Sequence, residues 1–285
     1  MGGRGSGSGR SGGGGGRPAG PIRLDTMSDA RLASFIQQSN SAQLPPGYRD
    51  EPTQRLILAA GWNEQPQIVS SAQAEALARK RGAVALYRTV NDDHRYSGKS
   101  SQQIADEFRT GAQFQASGFG GQVYGGGAYF SNSHRGSQGY GYGSASTIGA
   151  VLNDKARVID ASALEGSTGI SWIQSHPTAA RALGVSVRSG RVQGASTSKT
   201  AMAMAMGYNA VSNNVGAREK YYTIFDRSIL TTSTKNYYTT KSMKVNSEHN
   251  PHKDTPRKLY TLHLRVAVNG INDFILLGNV HPDAL

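Results

Sequence analysis

The sequence predicts an α+β fold, and three observations carry that expectation. Short runs rich in Val, Ile, Tyr and Thr recur along the chain, each bounded by Gly, Asn or Asp, with few helical periods between them. The regular strand–helix alternation of a doubly wound parallel sheet is missing, and no internal repeat of roughly 20–50 residues is visible. The 285 residues include 37% hydrophobic types and 13 Tyr, enough apolar material for a real core.

Taken in order, residues 1–20 are Gly, Ser and Arg with nothing apolar to anchor them, so they predict a disordered tail. Residues 21–81 form a helical lead-in. Capping residues at 25–28 precede apolar spacing near 3.6 over 30–36, Pro45-Pro46-Gly47 breaks the pattern, and Ser70-Ser71 opens a second helix ended by Gly82. A strand over 83–90 follows, then a helix over 100–109 with Ile104, Ala105 and Phe108 on one face. A Gly-dense loop over 117–127 leads into Ala128-Tyr-Phe-Ser131. Strands are expected at 147–152 and 156–159, joined by Asn153-Asp154, a helix at 197–206, and strands at 208–212 and 221–225. The C-terminal stretch places seven Lys or Arg against two acids between Thr232 and Arg265. Asn269-Gly270 between two apolar runs there is a strong hairpin signal.

Composition narrows the chemistry. Without cysteine there is no disulfide framework, thiolate metal site or Cys nucleophile. No apolar run reaches the ~18 residues of a membrane span, and the start lacks the apolar core of a signal peptide, so export by the standard route is not expected. A net charge of +12 favours an anionic partner, either a phosphate-bearing cofactor or a nucleic acid. No P-loop, Rossmann fingerprint, His-Glu-x-x-His or Gly-x-Ser-x-Gly occurs, and His249 and His252 lie in a polar stretch that reads as a solvated loop.

Three segments remain that carry chemistry. Leu86-Tyr87-Arg88-Thr89 sets an arginine inside an apolar strand, where its planar fork suits phosphate or carboxylate. Gly125-Gly-Gly-Ala-Tyr-Phe-Ser131, followed by His134-Arg135 and Tyr140, combines close backbone approach at Gly127 with rings able to face a flat heteroaromatic group. Glu219, between Arg218 and Lys220, stands at the mouth of the 221–225 strand, where a carboxylate can stabilise developing positive charge.

In that order and spacing these segments resemble the ADP-ribosyltransferase superfamily, over about residues 83–230. Arginine in the first strand points to the Arg-Ser-Glu branch, toxin-like or phage-encoded. The Met1-Gly-Gly-Arg-Gly-Ser start and the run 220–230 are similar to transferase domains of phage head-associated proteins. The resemblance implies a split-sheet catalytic domain over 82–231 and a basic extension over 232–285. It implies transfer of ADP-ribose from NAD to a macromolecular acceptor, host protein or nucleic acid, in the host cytoplasm or the virion and away from membranes. Arg88, Ser131 and Glu219 would be catalytic. Arg88, Thr89, Gly127, Tyr129 and Tyr140 would bind NAD, the two tyrosines sandwiching nicotinamide, and the scheme calls for no metal. Ala217, two residues before Glu219, and Ser131-Asn132-Ser133 depart from the arginine-modifying pattern and argue against arginine as acceptor. The rival expectation is an inactive, nucleic-acid-binding phage structural protein on the same fold; NAD hydrolysis is a third.

Overall fold

The computed structural model describes residues 21–45, 48, 50–62, 64–93, 98–111, 126–141, 144–215, 219–235, 238–239, 260–268 and 271–280. The expected tail at 1–20, the loop over 117–125 and Ala217 lie outside them. The described residues contain nine α-helices, more than the sequence reading expected, and thirteen strands in a mixed α+β arrangement. They divide into two units, 1–242 and 243–285.

In the first unit, helix α1 (Asp29–Ser41) and α2 (Pro52–Ala60) precede strand β1 (Gln67–Val69) and α3 (Ser71–Ala78). Local chemistry sets their ends. Glu51 accepts from the backbone N–H groups of Thr53 and Gln54, Pro52 occupies the first turn, and Gly61 closes α2 at φ 71°. Ser70 and Gln73 form a reciprocal capping box on α3. Strand β2 (Ala85–Asn91) leads to α4 (Ser101–Thr110), capped in the same way by Ser100 and Gln103, which buries Ala105 and Phe108. Strand β3 (Ala128–Ser131), the short α5 (His134–Gln138), β4 (Ala145–Leu152) and β5 (Val158–Asp160) come next. A run of small helices follows: α6 (Ala161–Glu165), α7 (Ser167–Ser175) and α8 (Pro177–Leu183). After them stand the hairpin β6 (Ser186–Arg188) and β7 (Arg191–Gln193), then α9 (Ser196–Ala205). Strands β8 (Ala210–Asn214), β9 (Lys220–Ile224), β10 (Leu230–Ser233) and β11 (Tyr238–Thr239) complete the unit.

One sheet organises the unit, in the order β1-β10-β4-β2-β3-β9-β8-β5, with β11 also on β4. The pairs β1–β10 and β5–β8 are parallel and the rest antiparallel. The helical lead-in therefore contributes an edge strand to this sheet. Strands β4 and β5, consecutive in sequence, lie far apart in it. Helix α4 covers one face, where the Ser101 and Ser146 hydroxyls meet at 3.1 Å. Helix α5 lies on the other, where the Thr89 hydroxyl bonds those of Ser137 at 2.8 Å and Thr147 at 3.0 Å. Leu86, Ile148, Phe130, Ile224 and Met202 are among the fully buried core side chains.

The second unit is a hairpin, β12 (Tyr260–Val268) and β13 (Ile271–Val280), paired antiparallel with Val268 opposite Ile271. No helix among the described residues is long and apolar enough to cross a membrane.

Candidate active site

Between β2 and β3 the described ladder consists of one pair, Tyr87 opposite Ser131. From there β2 continues to Asn91 against β4, and β3 runs back to Ala128 against β9. The sheet opens at this point into two halves, and the candidate site stands at the opening.

Ser131 is buried and donates its Oγ hydrogen to Glu219 Oε1 at 3.0 Å, while accepting from the N–H of Ser133 at 2.9 Å. Residue 219 immediately precedes β9, which starts one residue before the expected 221, and backbone bonds hold it there. The Glu219 carbonyl accepts from Val215 N–H at 3.0 Å. Asn132 clamps the next residue from both sides, donating its N–H to the Lys220 carbonyl at 3.1 Å and accepting from Lys220 N–H on Oδ1 at 2.9 Å.

Gly136 is the residue that lets the carboxylate sit so close. A Cβ there would collide with Glu219 Oε1 and stand 3.0 Å from Ser131 Oγ. Ser133 fixes that glycine by accepting from its N–H at 3.0 Å. Beside the acid, the rings of Tyr140 and Tyr221 meet edge-on at 5.9 Å. Burial, a hydrogen bond with Tyr221 and the charges of Tyr221 and Glu219 all push the Tyr140 phenol well above its usual range. Yet Tyr140 is 57% exposed, so much of the residue still meets solvent.

Arg88 belongs to the other half. Alternation turns Tyr87 and Thr89 towards α5 and Arg88 towards α4, where its guanidinium lies 5.3 Å over the Phe108 ring. Its Nη1 is buried without a hydrogen-bond partner. Burial pulls the guanidinium down to about 10, against the opposing influence of Tyr129. Among the described residues no hydrogen bond or ion pair joins Arg88 to Ser131 or Glu219.

The expected site residues thus separate into two groups. Ser131, Glu219 and Tyr140 come together; Arg88 and Tyr129 sense one another across the opening. Two others have structural work. Thr89 spends its hydroxyl in the Ser137–Thr147 chain. Gly127, at φ 150°, makes room for β9, since a Cβ there would meet Thr223 Cγ2 at 2.6 Å and the Ile224 carbonyl at 2.8 Å. Gly136, Asn132 and Tyr221 are the residues that sequence reasoning missed. A glycine inside the five-residue α5 and an aromatic at a strand entrance were their only local signals.

Two other acids are committed elsewhere. Glu165 pairs with Lys199, and Asp226 is bonded by Asn209 at 2.8 Å while its carboxylate accepts from Ser228 N–H, burial pushing its carboxyl upward. Comparison with protein-family models, with curated proteins and with solved structures returned no match.

Proposed function

We propose that the chain is an NAD-dependent mono-ADP-ribosyltransferase of the Arg-Ser-Glu kind, on a split-sheet fold of that superfamily. It moves ADP-ribose to a macromolecular acceptor with release of nicotinamide, in the host cytoplasm or the virion. The observation that carries the reading is the Ser131–Glu219 hydrogen bond at the point where the two half-sheets part. A serine-tethered carboxylate at a cleft is a positioned negative charge, which is what cleavage of a ribosyl bond to a cationic leaving group requires.

The residues fit NAD at one further point. The buried Nη1 of Arg88 is a donor in need of an acceptor, and a diphosphate or ribose oxygen supplies one. In this reading Arg88 holds NAD from the β2 side. Ser131 fixes the rotamer of Glu219, and Glu219 bonds a ribose hydroxyl and stabilises the positive charge that grows as the nicotinamide bond breaks. Tyr140 offers its ring to the nicotinamide, with Tyr129 opposite. The bond's electron pair leaves with nicotinamide, and the acceptor's nucleophile takes its place after losing a proton.

A second reading rests on Arg88 lying over Phe108, turned away from the Ser131–Glu219 pair. In it the chain is an inactive, nucleic-acid-binding phage structural protein. Incubation of the full chain with NAD labelled in the adenylate, with and without host extract, separates the two. Nicotinamide release and label transfer support the transferase, and protease or nuclease treatment of the product identifies the acceptor class. Absence of release in every extract favours the binding protein.

A further inference from the structure

We propose that the β6–β7 hairpin is a docking arm for the phosphodiester backbone of a nucleic acid, independent of whether the transferase reading holds. The hairpin turns through Ser189 at φ 51° and Gly190 at φ 69°, the left-handed pair of a tight two-residue turn. Its register sets Val187 opposite Val192; Val192 is buried beneath the ribbon, while Val187 on the same face is 41% exposed. The other face carries Ser186, Arg188, Arg191 and Gln193, all exposed.

On that face Arg188 stands directly opposite Arg191. Like charges at opposed positions of an antiparallel pair destabilise it. Neither arginine has an ion pair or a side-chain hydrogen bond among the described residues, and nothing nearby in the chain relieves them. Residues 161–205 carry Arg181, Arg188, Arg191 and Lys199 against the single acid Glu165. Glu165 is already spent on Lys199. The fold therefore presents two uncompensated guanidinium forks side by side on a short stiff ribbon.

The chemistry selects the partner. Guanidinium forks are weakly hydrated and match phosphate oxygens in bidentate fashion. Opposed side chains start about 5 Å apart at Cβ, and their long stems let both forks reach neighbouring phosphates of one strand. A protein partner would need an aromatic or aliphatic anchor to bury, and this face offers none. The net charge of +12 adds long-range attraction for a polyanion.

The test is binding of the full chain to a fluorescent 20-nucleotide single strand and to its duplex, titrated across salt. Arg188→Gln combined with Arg191→Gln is compared with Lys80→Gln combined with Arg81→Gln, which removes the same charge from another exposed stretch. The hairpin variant is expected to lose about tenfold in affinity for at least one of the two probes, with the salt slope reduced by about two, while the control stays within about twofold. Its thermal midpoint should equal or exceed the parent's, because the cross-strand repulsion is gone, so lost binding is not lost folding. Equal losses in both variants would overturn the proposal in favour of diffuse charge. Unchanged binding in the hairpin variant would overturn it outright.

Discussion

Arg88, on β2, and Arg227, in the 3-10 turn between β9 and β10, both approach the Phe108 ring, at 5.3 and 5.9 Å from its centroid. Burial lowers both to about 10. Their hydrogen bonding differs. Arg227 donates from Nη1 to the Phe108 carbonyl at 2.6 Å and from Nη2 to the Gly111 carbonyl at 2.9 Å, closing the C-terminal end of α4. The Nη1 of Arg88 has no acceptor. The Nε of Arg227 is also buried without a hydrogen-bond partner, so the difference lies in the fork: both Nη atoms of Arg227 close a helix end and belong to the architecture, whereas an Nη left open on Arg88 marks a place where a ligand is expected.

The largest effect should come from the acid across the opening from Arg88. Glu219→Gln keeps the size and the bond to Ser131 but removes the charge, so nicotinamide release should fall about 100-fold or more while NAD affinity stays within a few-fold. Equal turnover in parent and variant would dissolve the assignment of the Arg88 side as half of an active site.

The two arginines can then be set against each other. Arg227→Met strands two carbonyls at the end of α4 and should cost about 2 kcal/mol in denaturant unfolding. Arg88→Met removes a charge with an unmet donor and should leave stability within about 0.5 kcal/mol. In activity the order reverses: Arg88→Lys, which keeps charge but loses the fork, should slow NAD turnover about tenfold, whereas Arg227→Lys should leave turnover of the folded fraction close to the parent's. A large stability loss from Arg88→Met would make both arginines structural.

Gly136→Ala sharpens the comparison at the Glu219 wall. The clashing atom is the tip of a flexible side chain, so the carboxylate swings away and the fold survives. We expect roughly tenfold slower nicotinamide release with little change in melting temperature. A collapse of the melting temperature would show that α5, and not the acid, gives way.

The smallest effect is far from the opening. Asp25 is held down to about 2, first by its hydrogen bond from Arg23 and then by Arg157. Its folded value lies below the unfolded one, so its contribution is present above about pH 4 and is lost as pH falls towards 2. Because Arg23 is exposed, about 1 kcal/mol is the expected size. Asp25→Asn should flatten the acid limb of the stability profile by that amount and leave the Arg88–Arg227 contrast unchanged.

Much of this was legible locally. Ser70 with Gln73 and Ser100 with Gln103 announce two helix starts, and the apolar run through Arg88 announces its strand. What stayed hidden depends on distant partners. Strand β1 spans Gln67–Val69 and owes its existence to β10, whose residues lie more than a hundred and fifty positions on. Asn153-Asp154 looks like a link between neighbouring strands, yet β4 and β5 go to different halves of the sheet. Helices α6 to α8 are short and rich in Ser and Ala, so no apolar period marks them. Gly136 has meaning only once residue 219 is known to press against it.

The position of β9 and β10 in the sheet sets an order on folding. Lys220–Ile224 lies between β3 and β8, and Leu230–Ser233 lies between β1 and β4. Each half-sheet is thus completed by a strand from the end of the first unit. A chain emerging from the ribosome holds β1, β3, β4 and β8 with their central partners still unmade, and such long-range closures are the slow ones. Fragments stopping before residue 220 should therefore be open-edged and aggregation-prone. The chain becomes competent only when nearly the whole first unit has been synthesised.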